Sequence, residues 1–135
     1  LIKNIFIKTG SQGLHEITRE LNTLVANMGI EEGLCSLFIR HTSASLLIQE
    51  NADSLAKKDL ENWLNRLVPE NDSLYTHVME GVDDMPAHIK SMLTASSLSI
   101  PILDGRLVLG TWQGVFLWEH RYHASSRELV IHIAA

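Results

Sequence analysis

The chain of 135 residues has a single cysteine, three prolines, only 6% aromatic residues and no surplus of positive charge: 11 Lys and Arg stand against 16 Asp and Glu, a formal net charge of -5. Each scarcity excludes something. One cysteine, Cys35, makes no internal disulfide, which fits a reducing cytoplasm. A negative balance excludes the polybasic coat that is the simplest route to nucleic acid or an anionic membrane. No apolar run approaches the ~20 residues of a membrane helix, and no basic start with a following apolar stretch points to export. Phosphate-loop, dinucleotide, H-E-x-x-H, C-x-x-C and G-x-S-x-G patterns are all missing, so ATPase, dinucleotide oxidoreductase, zincin and α/β-hydrolase readings lack their usual support. What remains is 45% hydrophobic residues and seven histidines in a length that suits one domain, residues 1–135.

Hydrophobic periodicity outlines the elements. Asn4–Thr9 reads as a strand; Leu14, Ile17, Leu21, Leu24, Val25 and Met28 recur at helical steps and end at Gly29. Leu34–His41 and Leu46–Glu50 read as strands around the hydroxyl-rich turn Thr42–Ser45. A second helix starts near Asp53 or Ser54 and stops before Pro69, with Leu55, Ala56, Leu60, Trp63, Leu64 and Leu67 as its apolar stripe and Asp59 half-buried at its edge. Pro86 opens a short third helix with Met85, Ile89, Met92 and Leu93 on one side. Asp104-Gly105 signals a hairpin between Leu98–Leu103 and Arg106–Leu109; Thr111–Glu119 extends its second arm and Glu128–Ile133 returns after a polar loop. Strands separated by helices and closing in a meander predict an α+β fold with a mainly antiparallel sheet.

Three constellations carry possible chemistry. At the first, His41 precedes Thr42, Ser43 and Ser45, and Glu50, Asn51 and Asp53 follow where a strand becomes a helix. Such a junction suits an anion or a metal, and equally a turn and a helix cap. The second runs His77–His88, two histidines and Glu80, Asp83 and Asp84 around Gly81; imidazoles and carboxylates at this density suit a divalent ion, or a capped helix with surface histidines. In the third, Thr111, Gln113 and Glu119 share a strand face with Val115 and Leu117, whereas Trp112, Phe116, Trp118 and His120 share the other. A Gln and a Glu on an apolar face need partners or a cavity. The tryptophan face reads as core or subunit contact rather than a base-stacking platform. His15, His123 and His132 read as structural or exposed, and Cys35 as packing.

Taken in order, HTSASLLIQENAD (His41–Asp53), HVMEGVDDMPAHIKS (His77–Ser91) and DGRLVLGTWQGVFLWEHR (Asp104–Arg121) resemble the YjbQ-like family, also called the secondary thiamine-phosphate synthase family. The resemblance covers nearly the whole chain. It implies an α+β sandwich of antiparallel sheets with three helices, assembled as a homotrimer, and a secondary capacity to join a hydroxymethylpyrimidine diphosphate to a thiazole phosphate. The family's polar positions map onto His41, Thr42, Glu50, Asn51, Asp53, Asp59, His77, Glu80, Gly81, His88, Gly105, Thr111, Trp112, Gln113 and Glu119. Many members have E-x-D-G after the TWQ motif; here Glu119-His120-Arg121 stands instead, which makes His120 a weaker candidate than the other three motif histidines.

Two expectations follow. In one, the protein is a transferase whose diphosphate substrate is held with Mg²⁺ by oxygen ligands drawn from Glu50, Asp53, Asp59, Asp83 and Asp84, and by Arg40 and Arg121 with the hydroxyls of Thr42, Ser43 and Ser45. In the other, His41, His77 and His88 hold Zn²⁺, Mn²⁺ or Ni²⁺ for metal-assisted hydrolysis or for binding without turnover, with Glu80 or Glu119 as base. The candidate catalytic set is Glu80, Glu119, Asp59 and Gln113; the candidate substrate set is Thr42, Ser43, Ser45, Asn51, Trp112 and Arg121. The expected partner is a small phosphorylated metabolite, not nucleic acid or membrane, and the expected location is cytoplasmic. A trimeric scaffold whose polar clusters serve subunit contacts is the third possibility.

Overall fold

A computed structural model describes residues 1–124 and 126–135. In chain order the elements are β1 (Ile2–Ile7), β2 (Gly13–Glu16), α1 (Thr18–Asn27), β3 (Glu32–Ile39), β4 (Ala44–Glu50), α2 (Ser54–Leu67), α3 (Asp84–Leu93), β5 (Ser97–Leu103), β6 (Arg106–Leu107), β7 (Gln113–Glu119) and β8 (Arg127–Ala134). They form two antiparallel sheets, one of five strands in the order β1-β8-β3-β5-β6 and one of three in the order β2-β7-β4. The fold is therefore α+β, with two sheets and three helices, as expected.

Strand alternation decides what each face meets. Cys35, Leu37 and Ile39 of β3, Ile100 and Ile102 of β5 and Leu129, Ile131 and Ile133 of β8 point inward against Ala44, Leu46, Val115 and Leu117 of the smaller sheet, with Ile17, Leu21 and Val25 closing one end. Burial pushes the Cys35 thiol up to about 11, which leaves it an inert packing group. The smaller sheet's other face carries Leu14, Phe116 and Trp118, covered by Leu64 and Val68 at the end of α2. The outer face of the larger sheet is uncovered: Ile2, Phe6, Leu34 and Phe38 are all exposed.

Several boundaries differ from the sequence reading. Residues 13–16 are a strand and the helix starts only at Thr18. Leu14 and Ile17 are three apart by coincidence, for Leu14 faces α2 while Ile17 enters the main core. Asp104 and Gly105 do form the hairpin turn, with φ of 53° and 74°, the paired positive values of a type I′ turn. The second arm ends at Leu107, however, and β7 lies in the other sheet. β8 inserts between β1 and β3, so the last strands do not form a meander. Asp53 caps α2 by accepting the Leu55 N–H at 2.9 Å. Only part of the α2 stripe is used: Leu64 is buried, whereas Leu55, Trp63 and Leu67 are exposed and Asp59 is exposed with them. α3 starts at Asp84, before Pro86, and buries Asp84, Pro86, Ala87 and Lys90 instead of Met92 and Leu93. Among the described residues no helix is long and apolar enough to cross a membrane.

Gly33 is the closest backbone approach in the larger sheet, where an added Cβ would meet the Ala134 carbonyl oxygen. Because the obstacle is backbone in a paired strand, it does not swing aside. Gly33→Ala is expected to destabilise the fold by about 1–3 kcal/mol, read as a lower urea midpoint at unchanged slope.

Candidate metal centre and adjoining cleft

The first turn of α3 sets Asp84 and His88 four residues apart on one helix face. His77 comes from the segment before the helix, which turns back at Gly81, where φ is 111°. There the side chains converge: Asp84 Oδ2 lies 2.6 Å from His77 Nε2 and 3.2 Å from His88 Nε2, and the three ligand atoms all lie within 4.8 Å of one another. The two rings meet edge to face, with centroids 5.4 Å apart.

Hydrogen bonding assigns the tautomer of His88. Its Nδ1 lies 3.1 Å from the Thr42 carbonyl, an obligate acceptor, so Nδ1 carries the proton and Nε2 presents its lone pair. A lone pair 3.2 Å from a carboxylate oxygen is repulsive unless a cation or proton stands between them. A backbone carbonyl that holds the remote N–H is also how metal-ligating histidines are oriented. Two imidazoles and a carboxylate, with His77 and His88 partly open to solvent, match a zinc-type donor set with a free position.

Asp84 is held from its other side. Oδ1 accepts from Arg121 Nη1 at 2.6 Å, while Arg121 Nε donates to Asp83 Oδ2 at 3.1 Å and Nη2 to the Glu80 carbonyl at 2.8 Å. Burial works to raise the Asp84 pKa, but the His77 hydrogen bond and the Arg121 charge outweigh it and hold the carboxyl below its usual range. Arg121 was expected to bind phosphate. Its guanidinium is instead committed to the loop and to the carboxylate of this cluster.

His88 also lines an open cleft of about 710 Å³ with Arg40, His41, Thr42, Ser43, Ser91, Ser96 and Arg127 among its walls. His41, expected as the third imidazole ligand, belongs to this cleft and not to the cluster. Its Nε2 accepts the Glu128 N–H at 2.7 Å and its Nδ1 lies 3.3 Å from Arg127 Nη1, so a protein donor faces each ring nitrogen and takes the lone pair a metal would need. Burial and the nearby Arg127 lower its pKa, so the ring is neutral.

Beneath the cleft lies an ion pair that the sequence reading half-anticipated. Glu119, fully buried, accepts from Thr9 Oγ1 at 2.7 Å, from Arg127 Nε at 2.7 Å and Nη2, and from the Arg121 N–H at 3.1 Å. Burial alone would raise its pKa; these four donors draw it below the ordinary carboxylate value. Arg127 Nη2 also reaches Ser43 Oγ at 2.9 Å, which fixes the cleft wall. Arg127 itself went unnoticed in the sequence, although a Glu on an apolar strand face demands a cation.

The remaining candidates disperse. Glu80 is exposed on the loop before α3; Asp59 lies on the exposed side of α2, beside Gln49, Glu50, Trp63 and Arg66. Gln113 is exposed, and its Oε1 accepts the Gly110 N–H at 2.7 Å. Asn51 donates to Glu16 at 2.8 Å, Trp112 is exposed, and Ser45 is fully buried against His120. None of Glu80, Glu119, Asp59 and Gln113 belongs to the His77–Asp84–His88 cluster. Thr42 and Ser43 remain at the cleft.

A family model described as UPF0047 protein YjbQ-like matches residues 3–135. The chain is 51% identical over 130 residues to UPF0047 protein sll1880 of Synechocystis, covering 96% of this chain and 88% of that one. It is 43% identical over 129 residues to UPF0047 protein YjbQ of Escherichia coli O157:H7, covering 95% and 93%. A solved structure described as an uncharacterized conserved protein of the yjbq/upf0047 family from Clostridium acetobutylicum superposes with a TM-score of 0.88 at 33% identity, over 98% of this chain and 99% of that one. The chain belongs to the YjbQ-like UPF0047 family.

Proposed function

We propose that the protein is a divalent-metal-dependent enzyme acting on a small phosphorylated metabolite, with His77, Asp84 and His88 as protein ligands to the ion. The observation that carries the reading is the convergence of two imidazole nitrogens on one carboxylate oxygen, with the proton of His88 committed to the Thr42 carbonyl. When bound, the ion supplies positive charge to neutralise phosphate oxygens in the transition state. The chain's own residues do the rest. Asp84 is clamped by Arg121 so that Oδ2 faces the histidines, and the hydroxyls of Thr42 and Ser43, with the cationic Arg40, offer donors to an anionic substrate in the adjoining cleft.

The specific reaction suggested by the family resemblance is thiamine-phosphate synthesis. There the thiazole nitrogen forms a bond to the pyrimidine methylene carbon as the bond from that carbon to the diphosphate oxygen breaks, and pyrophosphate leaves. The imidazole-rich donor set favours Zn²⁺, Mn²⁺ or Ni²⁺ over Mg²⁺ and so keeps metal-assisted hydrolysis, or binding without turnover, as the second reading. Protein purified without an affinity tag is expected to carry a transition metal in equimolar amount. It is expected to form thiamine phosphate from the two substrates, to lose turnover with a chelator and to regain it on re-addition of the ion. Metal without turnover selects the second reading; no metal before or after reconstitution overturns both.

Self-association belongs to the same proposal. The exposed Ile2, Phe6, Leu34 and Phe38 lie on one uncovered sheet face, which supports the homotrimer implied by the family. Light scattering should give the trimer mass for the wild type, and Phe38→Glu should shift it towards monomer.

A further inference from the structure

We propose that a small pocket between α2, α3 and the end of β7 binds a small oxyanion, a phosphate or carboxylate group, between Lys90 and His120. The pocket has a volume of about 140 Å³ and is walled by Gln12, Glu61, Asn65, Lys90, Trp118 and His120. It is separate from the metal cluster: two residues beyond His88, the Lys90 side chain leaves α3 roughly 200° further around the helix. The inference does not depend on the metal reading.

Two buried donors around this pocket have capacity to spare, although the carboxylate of Glu61 shares the wall and those of Glu70 and Asp83 act on Lys90 from further off. Lys90 is only 4% exposed, donates to Asn65 Oδ1 and makes no ion pair among the described residues. The one carboxylate in the wall, Glu61, turns Oε2 to the Leu14 N–H at 2.7 Å. The Gln12 amide donates to the His120 carbonyl at 3.1 Å. His120 is 1% exposed, and its Nδ1 is the buried side-chain atom without a partner.

The tautomer of His120 says which kind of partner is missing. Ser45 is fully buried, and among the described residues its Oγ contacts only His120 Nε2, at 2.9 Å. A buried hydroxyl must place its hydrogen, so Ser45 donates to Nε2 and the ring proton resides on Nδ1. Burial pushes the His120 pKa down to about 3, which keeps the ring neutral with that single N–H. Besides the second Glu61 carboxylate oxygen, Oε1, the leftover capacity is the ammonium of Lys90 and the N–H of His120, both donors. An acceptor carrying negative charge satisfies both, and the volume equals roughly four or five waters at ~30 Å³ each, enough for a carboxylate or phosphate.

The test is a titration of wild-type protein, ¹⁵N-labelled in its imidazoles, with inorganic phosphate, with acetate and with chloride at matched ionic strength. The His120 Nδ1–H resonance is expected to shift saturably with phosphate or acetate and not with chloride; whichever anion binds identifies the group as phosphate or carboxylate. Lys90→Met should weaken the response about tenfold or more, whereas His88→Ala, which removes a proposed metal ligand, should preserve it. No saturable shift with either oxyanion would mean that the pocket holds water only and would overturn the proposal. So would an equal response to chloride, or a response lost with His88→Ala and kept with Lys90→Met. Should Lys90→Met fail to fold, a wild-type crystal soaked in phosphate and another soaked in acetate decide by density between Lys90 Nζ and His120 Nδ1.

Discussion

Asp84→Asn is expected to weaken transition-metal binding by at least about 100-fold, while His41→Ala leaves the affinity unchanged. Asp84 Oδ2 is the point on which both imidazoles converge and the anionic member of the cluster; the amide keeps the volume and removes the charge. His41 lines the cleft, but its accepting nitrogen already takes the Glu128 N–H, so its loss deprives an ion of nothing. Competition against a chromogenic chelator measures both affinities, and the near-ultraviolet circular dichroism of each variant checks that its packing is intact. His77→Ala and His88→Ala should weaken binding in parallel with Asp84→Asn. Equal affinity for Asp84→Asn and wild type would remove the cluster as a metal site, and loss of affinity in His41→Ala would restore the three-histidine arrangement expected from the sequence.

Why Asp84, and not His41, stands beside His77 and His88 is a matter of geometry. Residue type and motif membership singled out three histidines, but they could not show that strand pairing draws the Glu128 N–H onto His41. Asp84 was visible as a helix-start carboxylate, with Asp83 as its equal; the four-residue step from Asp84 to His88 distinguishes them and was available in the sequence. Strand faces were legible wherever alternation was strict, as in Cys35, Leu37 and Ile39 or Val115 and Leu117. Legibility failed where a short strand abuts a helix, for Leu14 and Ile17 mimic a helical step across an element boundary. It failed again at β7, because a hairpin signal at Asp104-Gly105 says nothing about the chain crossing to another sheet after Leu107. The α2 stripe overstated burial for a related reason: periodicity marks which face is apolar, not how much of it a three-stranded sheet can cover.

Glu119→Gln is expected to destabilise the fold by about 3–5 kcal/mol, because it leaves the guanidinium of Arg127 buried without its counter-ion and turns an amide N–H₂ towards it. Both side chains are largely removed from solvent, 8% exposed for Arg127 and 0% for Glu119, so water does not screen the loss. Urea denaturation measures it, and replacing both partners together, Glu119→Met with Arg127→Met, should recover much of the stability; a Glu119→Gln midpoint equal to that of wild type would refute the structural importance of the pair. Acid should act on the same region in two stages. His120 has a folded pKa pushed from 6.5 to about 3, so the unfolded chain binds a proton that the folded one refuses, and stability falls as pH drops below 6.5. At pH 4.5 this amounts to about 2–3 kcal/mol. Glu119, whose folded pKa lies below 4.5, contributes fully above that value and loses its contribution only as the pH falls through the depressed value. His120→Gln keeps an acceptor for Ser45 and should flatten the upper stage relative to wild type. His41, lowered in the same direction, leaves a residual slope in both proteins. Identical pH profiles for His120→Gln and wild type between 6.5 and 4.5 would show that the buried imidazole is not what senses acid.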